Sequence, residues 1–251
     1  MNDPIVKLLK KQNMKLIVIY ALAVLLAGTS LGSHYDVKGR LMKDLLDTYE
    51  KELEPERATV NLAIEFQCAI YDRNTHIVST YVWEIYTWTD NRLKWDPADY
   101  DNTKSLTLSA EKVWLPDFKL YHGHDEREEV KISLEHTGLI TWIPKASYET
   151  VCLHTLPNKH QCHYKIGSWS IDDATVGLSK YEKGGSLTYY QNSTCPLTAT
   201  MNGAVITHES YPCCPNVQYA SLEISITYIH HHYRGCGTQT QQTTTDHSDE
   251  C

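Results

Sequence analysis

The sequence predicts an all-β fold, an immunoglobulin-like β-sandwich that carries a single α-helix at its N-terminus. Three observations carry that prediction. A helical period appears once, over Lys38 to Leu53, where Leu41, Leu45, Tyr49 and Leu53 recur at every fourth position with Met42 and Leu46 beside them. Strict alternation replaces it: Val60, Leu62, Ile64, Phe66, Cys68 and Ile70 alternate with more polar residues, as do Leu222, Ile224, Ile226 and Tyr228. Between these ends, short β-prone runs are punctuated by turn signals such as Asp72-Arg73-Asn74, Lys183-Gly184-Gly185 and Asn202-Gly203.

Ahead of the helix, Lys7, Lys10, Lys11 and Lys15 precede the apolar run Leu16 to Ala27, and small residues follow from Gly28 to Ser33. Residues 1–33 therefore read as a signal peptide, with a signal anchor as the competing reading. The run has 12 residues, against the roughly 20 that span a bilayer as a helix. No other apolar run of spanning length occurs, so the mature protein is expected to be soluble, secreted and extracellular. Pro55 is expected to stop the helix. Residues 34–234 read as one domain, and 235–251 as a polar tail rich in Thr and Gln, expected to be disordered.

Without residues 1–33 the net charge is −11. An acidic chain excludes nucleic acid as the expected partner and mildly favours cationic ligands. Eight cysteines in a secreted chain should be mostly oxidised, and Asn192-Ser193-Thr194 is a glycosylation acceptor. Enzyme readings lack parts. Gly167-Ser168-Trp169-Ser170 is not a Gly-x-Ser-x-Gly elbow, and neither His-Glu-x-x-His nor a phosphate loop occurs. On a strand, His230 and His232 would share a face and could bind a metal. Without a Cys or carboxylate at ligand spacing, a solvated strand end is the better reading. No metal and no cofactor are expected.

The most informative stretch is Tyr211-Pro212-Cys213-Cys214-Pro215-Asn216-Val217-Gln218-Tyr219. Adjacent Cα atoms lie about 3.8 Å apart, below the usual disulfide range of about 4.4–6.8 Å. A Cys213–Cys214 bond would close a strained ring at a loop tip; otherwise each cysteine pairs elsewhere. The flanking tyrosines can offer ring faces to a cation, as aromatic cages do for quaternary ammonium groups.

Tyr-x-Cys-Cys with a second tyrosine five residues on resembles loop C of nicotinic acetylcholine receptors and of the soluble acetylcholine-binding proteins. Further stretches resemble that family in the same order: Trp83-Glu84-Ile85-Tyr86-Thr87-Trp88-Thr89-Asp90 (loop D), Trp114-Leu115-Pro116-Asp117 with Tyr121 (loop A), Gly138 with Trp142-Ile143-Pro144 (loop E), and Cys152 and Cys162 followed by Gly167-Ser168-Trp169 (cysteine loop and loop B). The resemblance spans about Tyr35 to Arg234. It implies a homopentameric ring that binds acetylcholine and nicotine-like cationic amines between subunits. It also implies a principal face of Tyr121, Trp169, Tyr211, Cys213, Cys214 and Tyr219, and a complementary face of Trp83, Ile143 and Thr141. Disulfides Cys152–Cys162 and Cys213–Cys214 follow from the same resemblance. Trp88, Trp95, Trp114 and Trp142 read as packing, and no acidic residue stands at the matched positions of loops A to C.

The chain departs from the family in two ways. Nine residues separate Cys152 from Cys162, fewer than is usual, and of the receptor loop's core only Pro157 and Gln161 are similar. Cys68, Cys195, Cys236 and Cys251 have no family counterparts. They allow three connectivities, Cys68–Cys195 with Cys236–Cys251 among them. Two other readings stay open, the extracellular part of a nicotinic-type channel and an assembly module that has lost its ligand.

Overall fold

A computed structural model describes residues 36–156 and 158–230. The helix α1 spans 36–46 and buries Leu41 and Leu45 against the sandwich. It ends well before Pro55, earlier than its periodicity predicts. Tyr49 leaves the helical path because its hydroxyl is committed elsewhere: it donates to Asp90 Oδ2 at 2.8 Å and accepts the Trp114 N–H at 3.0 Å. Arg92 then holds the turn beyond, donating to the carbonyls of Glu50 and Leu53. Leu53 is left exposed.

Thirteen strands follow among the described residues. They are β1 (Thr59–Asp72), β2 (Ile77–Thr89), β3 (Ser105–Ser109), β4 (Phe118–Leu120), β5 (His124–Arg127), β6 (Lys131–Glu135) and β7 (Leu139–Trp142). Then come β8 (Lys145–Val151), β9 (Leu153–Leu156), β10 (Lys159–Ser168), β11 (Gly177–Ser186), β12 (Leu197–Tyr211) and β13 (Cys214–His230). One sheet runs β11-β1-β2-β7-β6-β3, with β8 joining β2 to β5; the other runs β12-β13-β10-β4, with β9 on β10. The pairings are antiparallel except β1 with β11. This is the β-sandwich with an N-terminal helix that the periodicities predict.

The core lies between the sheets. Val60, Leu62, Ile64 and Phe66 of β1 meet Leu222, Ile224, Ile226 and Tyr228 of β13, all buried. The expected alternation holds through Phe66 and then slips. A bulge between Phe66 and Cys68 shifts the register against β2, so Ala69 points inward and Ile70 is exposed. One extra residue in a strand reverses the facing of everything after it. Trp88, Trp95, Trp114 and Trp142 are buried.

Disulfides join Cys152 to Cys162 and Cys68 to Cys195. The second ties β1 to the segment before β12. Residues 1–33, the tail 235–251, Cys236, Cys251, Pro157, His231 and His232 lie outside the described residues. No described helix is long and apolar enough to cross a membrane.

Candidate functional site: an aromatic cleft beneath the β12–β13 hairpin

Three segments of the second sheet converge at one end. Tyr121 follows β4, and its N–H bonds to the Lys165 carbonyl at 2.8 Å, continuing the pairing with β10. Its hydroxyl donates to the Ser168 carbonyl at 2.6 Å. Burial holds that phenol above its ordinary pKa, so it stays a neutral donor.

Trp169 follows β10 on a loop fixed from below. A Cβ on Gly167 would meet the Ala220 carbonyl oxygen at 2.5 Å, so only glycine lets β10 approach β13 there. Ser168 Oγ donates to Asp117 Oδ1 at 2.6 Å and accepts the Ile171 N–H at 2.9 Å. Asp117 Oδ2 accepts the Ser170 N–H at 2.7 Å. With its neighbours held, Trp169 projects outward at 68 % exposure, its ring perpendicular to Tyr121 with centroids 5.9 Å apart.

The β12–β13 hairpin supplies the third wall. Tyr211 pairs with Cys214, and the Tyr211 and Tyr219 rings lie 5.8 Å apart. At the hairpin tip the Cys213 and Cys214 Sγ atoms stand side by side, 2.7 Å apart. The cleft so enclosed holds about 430 Å³ and is lined by Tyr121, His122, Lys165, Trp169, Glu209, Tyr211, Cys213 and Tyr219.

Lys165 and Glu209 were not foreseen. The Lys165 ammonium lies 2.5 Å from Glu209 Oε2, 3.6 Å from Glu223 Oε1 and 5.5 Å above the Tyr121 ring centre. Burial works against its charge, but the two carboxylates outweigh that and raise its pKa. Lys165 in turn holds the Glu209 carboxyl below the usual range. No acidic residue stands at the matched positions of loops A to C, but Glu209, two residues before Tyr211, stands in the cleft wall. The Tyr211 hydroxyl lies 3.4 Å from Glu209 Oε2, across an irregularity in the β12–β13 ladder that alternation in the sequence does not mark.

Trp83, Thr141 and Ile143 belong to the other sheet and do not line this cleft. Trp83 is on β2 and Thr141 on β7, where it pairs with Thr87. Ile143 is exposed between β7 and β8. Outward-facing positions of β2 and β7 thus present Trp83 and Thr141 on one face, with exposed Ile143 just beyond the end of β7. The turn before β7 needs Gly138, whose φ is +79° and whose added Cβ would strike the Asp90 carbonyl oxygen at 2.4 Å. Sequence reading also missed Tyr189, whose exposed ring lies 5.5 Å from that of Trp83. Its N–H bonds to the buried Glu65 carboxylate at 2.9 Å, and the Cys68–Cys195 bond anchors the same segment.

A sandwich whose one sheet edge and hairpin tip enclose an aromatic, partly charged cleft defines a small-ligand-binding module. The particular family follows from comparison. The "Neurotransmitter-gated ion-channel ligand binding domain" family matches residues 38–229, and the chain belongs to it. That family consists of ligand-binding domains, not enzymes. Curated relatives include the human neuronal acetylcholine receptor subunit alpha-2, 31 % identical over 211 residues, covering 75 % of this chain and 39 % of the relative. The neuronal acetylcholine receptor subunit non-alpha-3 of Carassius auratus is 30 % identical over 178 residues, covering 65 % and 38 %. This chain thus spans about two fifths of the length of those relatives. Among solved structures, an AChBP of Capitella teleta in complex with lobeline shares the fold at a TM-score of 0.69 and 23 % identity, covering 76 % of this chain and 97 % of that one.

Proposed function

We propose that the protein is a secreted binding protein for cationic cholinergic ligands, acetylcholine and nicotine-like amines among them, held in an aromatic cage between subunits of a homopentamer. The observation that carries this reading is the convergence of Tyr121, Trp169, Tyr211 and Tyr219 on one cleft. Each desolvated ring face contributes about 0.5–2 kcal/mol to a cation. Three or four faces suffice for micromolar-class binding once association costs of several kcal/mol are subtracted. Trp83 and Thr141 on the other sheet, Ile143 between its β7 and β8 and Tyr189 in the turn after β11 lie away from this cleft, so they complete the cage only from a neighbouring copy, and head-to-tail contacts that close give rings.

Titration of tryptophan fluorescence with nicotine and with an uncharged carbon-for-nitrogen isostere tests the reading. The cation should bind at least about tenfold more tightly; equal affinity would make the pocket merely hydrophobic. Light scattering on the mature chain should give the mass of five subunits, whereas a monomer at micromolar concentration would leave Trp83 and Trp169 apart.

Oxidation of Cys213 and Cys214 to a ring should stiffen the hairpin tip. Non-reducing peptide mapping of the secreted protein is expected to recover that bond, and mild reductant to open it before Cys152–Cys162. Linkage of either residue to Cys236 or Cys251 defeats it.

Glu209 offsets the Lys165 ammonium that shares the cleft with the ligand. Glu209→Gln should therefore weaken cation binding about twofold to fivefold, less at high salt, because the Glu209 end of the pair faces solvent and is screened. An unchanged Kd would remove Glu209 from the site.

A second reading is favoured by the relatives being receptor subunits of which this chain matches 39 %: it is the ligand-binding part of a channel subunit. Recovery of the natural product in the membrane fraction of producing cells, and not in their medium, would select it.

A further inference from the structure

At the start of β10 and the end of β13 lies a second cluster. The cleft's Trp169 follows β10 nine residues after His160, so the two places are about 30 Å apart along the strand. Tyr71 of the first sheet is its hub. Its ring centre is 4.1 Å from that of His160, 5.2 Å from His154 and 5.5 Å from His230. Its hydroxyl bonds to His76 Nδ1 at 2.8 Å and to His154 Nε2 at 3.0 Å. His76 belongs to the β1–β2 turn and His154 to β9, within the Cys152–Cys162 loop. His160 and His230 close the group with Nε2 atoms 2.8 Å apart.

The protons in this pair are constrained by burial. His160 is 0 % exposed, and its Nδ1 is buried without a hydrogen-bond partner among the described residues. A bare imidazole nitrogen tolerates that environment better than an N–H, which would be an orphaned donor. The His160 proton therefore sits on Nε2 and is donated to the bare Nε2 of His230. Adding one more proton to the pair has three outcomes, all unfavourable. On His160 it creates an N–H at the buried Nδ1. On His230 Nε2 it forces the His160 proton onto that same Nδ1. Otherwise the 2.8 Å bond breaks.

We propose that these residues form an acid-released latch, a proton-responsive site that joins the β1–β2 turn, the Cys152–Cys162 loop and the end of β13 at neutral pH and frees them on acidification. The groups facing the pair are Tyr71 and Arg73 from β1 and its turn and His154 from β9. Asp72, whose carboxylate accepts the Asn74 N–H at 2.8 Å, interacts with His76. Burial, with His154 and His230, pushes His160 down to about 4, and burial with Arg73 and His154 holds His230 below its ordinary value. The unfolded chain accepts the His160 proton near pH 6.5. Stability from this site is thus full above about pH 6.5 and falls progressively as pH drops from there towards 4. Among the described residues no three such groups are arranged to hold a metal ion. A metal shared by both Nε2 atoms would also force an N–H onto the buried Nδ1.

Hydrogen exchange on the full chain at pH 7.5 and 5.0, corrected for intrinsic rates, tests the latch. Amides of residues 71–78 and 152–162 should lose at least about tenfold protection at pH 5.0 while central β2 keeps its own. His160→Gln keeps a donor towards His230 but does not titrate, and should cut that loss to less than about threefold. Equal protection at both pH values, or an undiminished loss in the variant, overturns the proposal. If the variant does not fold, ¹⁵N-imidazole spectra of the natural chain decide. His160 should carry its proton on Nε2 at pH 7.5 and stay neutral at pH 5.5, and a proton on Nδ1 or titration near 6.5 overturns the latch. A rise in Tm on adding Zn²⁺ at neutral pH does so too, by making the cluster a metal centre.

Discussion

Trp169→Ala is expected to weaken binding of acetylcholine or nicotine more than any other single change in the cleft, by about 10–100-fold. The indole is the largest ring in the cleft and the best cation–π face among the side chains. It stands 68 % exposed, held by neighbours rather than by its own packing. Its removal takes away ring face and ligand packing together while leaving the core whole. The loss should therefore appear as a raised Kd with the melting temperature nearly unchanged, which separates a binding role from a folding one. Trp169→Phe should cost less, because a weaker quadrupole remains. Tyr211 and Tyr219 should divide differently. The Tyr211 hydroxyl lies 3.4 Å from Glu209 Oε2, so Tyr211→Phe also perturbs the Lys165–Glu209 pair, whereas Tyr219→Phe keeps the face and should change little. A Trp169→Ala protein that bound as tightly as the natural one would place the ligand elsewhere.

The parts of this molecule legible in its sequence are those set by local rules. Alternation in β1 and β13 located the core strands because side-chain facing has a period of two and needs no partner to be read. Tyr121, Trp169, Tyr211 and Tyr219 were singled out by the resemblance of short motifs to a known family, and they line one cleft. What was missed depends on how distant strands register. The slip after Phe66 comes from a bulge against β2, and nothing in the run Phe66 to Ile70 marks it. Lys165 pairs with Glu223 across the β10–β13 ladder and reaches Glu209 from there, a contact that only the sheet order creates. Tyr189 is brought to Trp83 by Glu65 and Cys68, more than a hundred residues earlier in the chain. The helix was over-read because period alone does not say when a side chain such as Tyr49 finds a better partner outside it.

Glu84→Ala is expected to be the most destabilising single substitution, by about 3–5 kcal/mol, because it strands a buried cation. Glu84 faces inward from β2 and is fully buried, directly beside outward-facing Trp83. Its Oε1 accepts Arg127 Nη2 at 2.9 Å and the Tyr148 hydroxyl, and its Oε2 accepts Arg127 Nε. Asp125 takes the remaining Nη1 of Arg127 and accepts the Leu120 N–H at 3.3 Å, so the network links β2, β5 and β8 to the strand that leads to Tyr121. The Arg127 side chain is 14 % exposed; with Glu84 gone, Asp125 alone must balance a guanidinium that water barely reaches. For a domain of this size the loss corresponds to a fall in Tm of about 6–20 °C, readable by circular dichroism on the purified chain. Glu84→Gln should fall between, since an amide still accepts from Tyr148 but leaves the charge unmatched. The double variant Glu84→Leu with Arg127→Met should regain much of the deficit, because replacing both members of a buried pair by apolar groups is close to neutral. A Glu84→Ala protein that melted within about 3 °C of the natural one would mean that Arg127 finds Asp125 or water sufficient. The pair would then not be what fixes β5 and the Tyr121 loop against the sheet that carries Trp83.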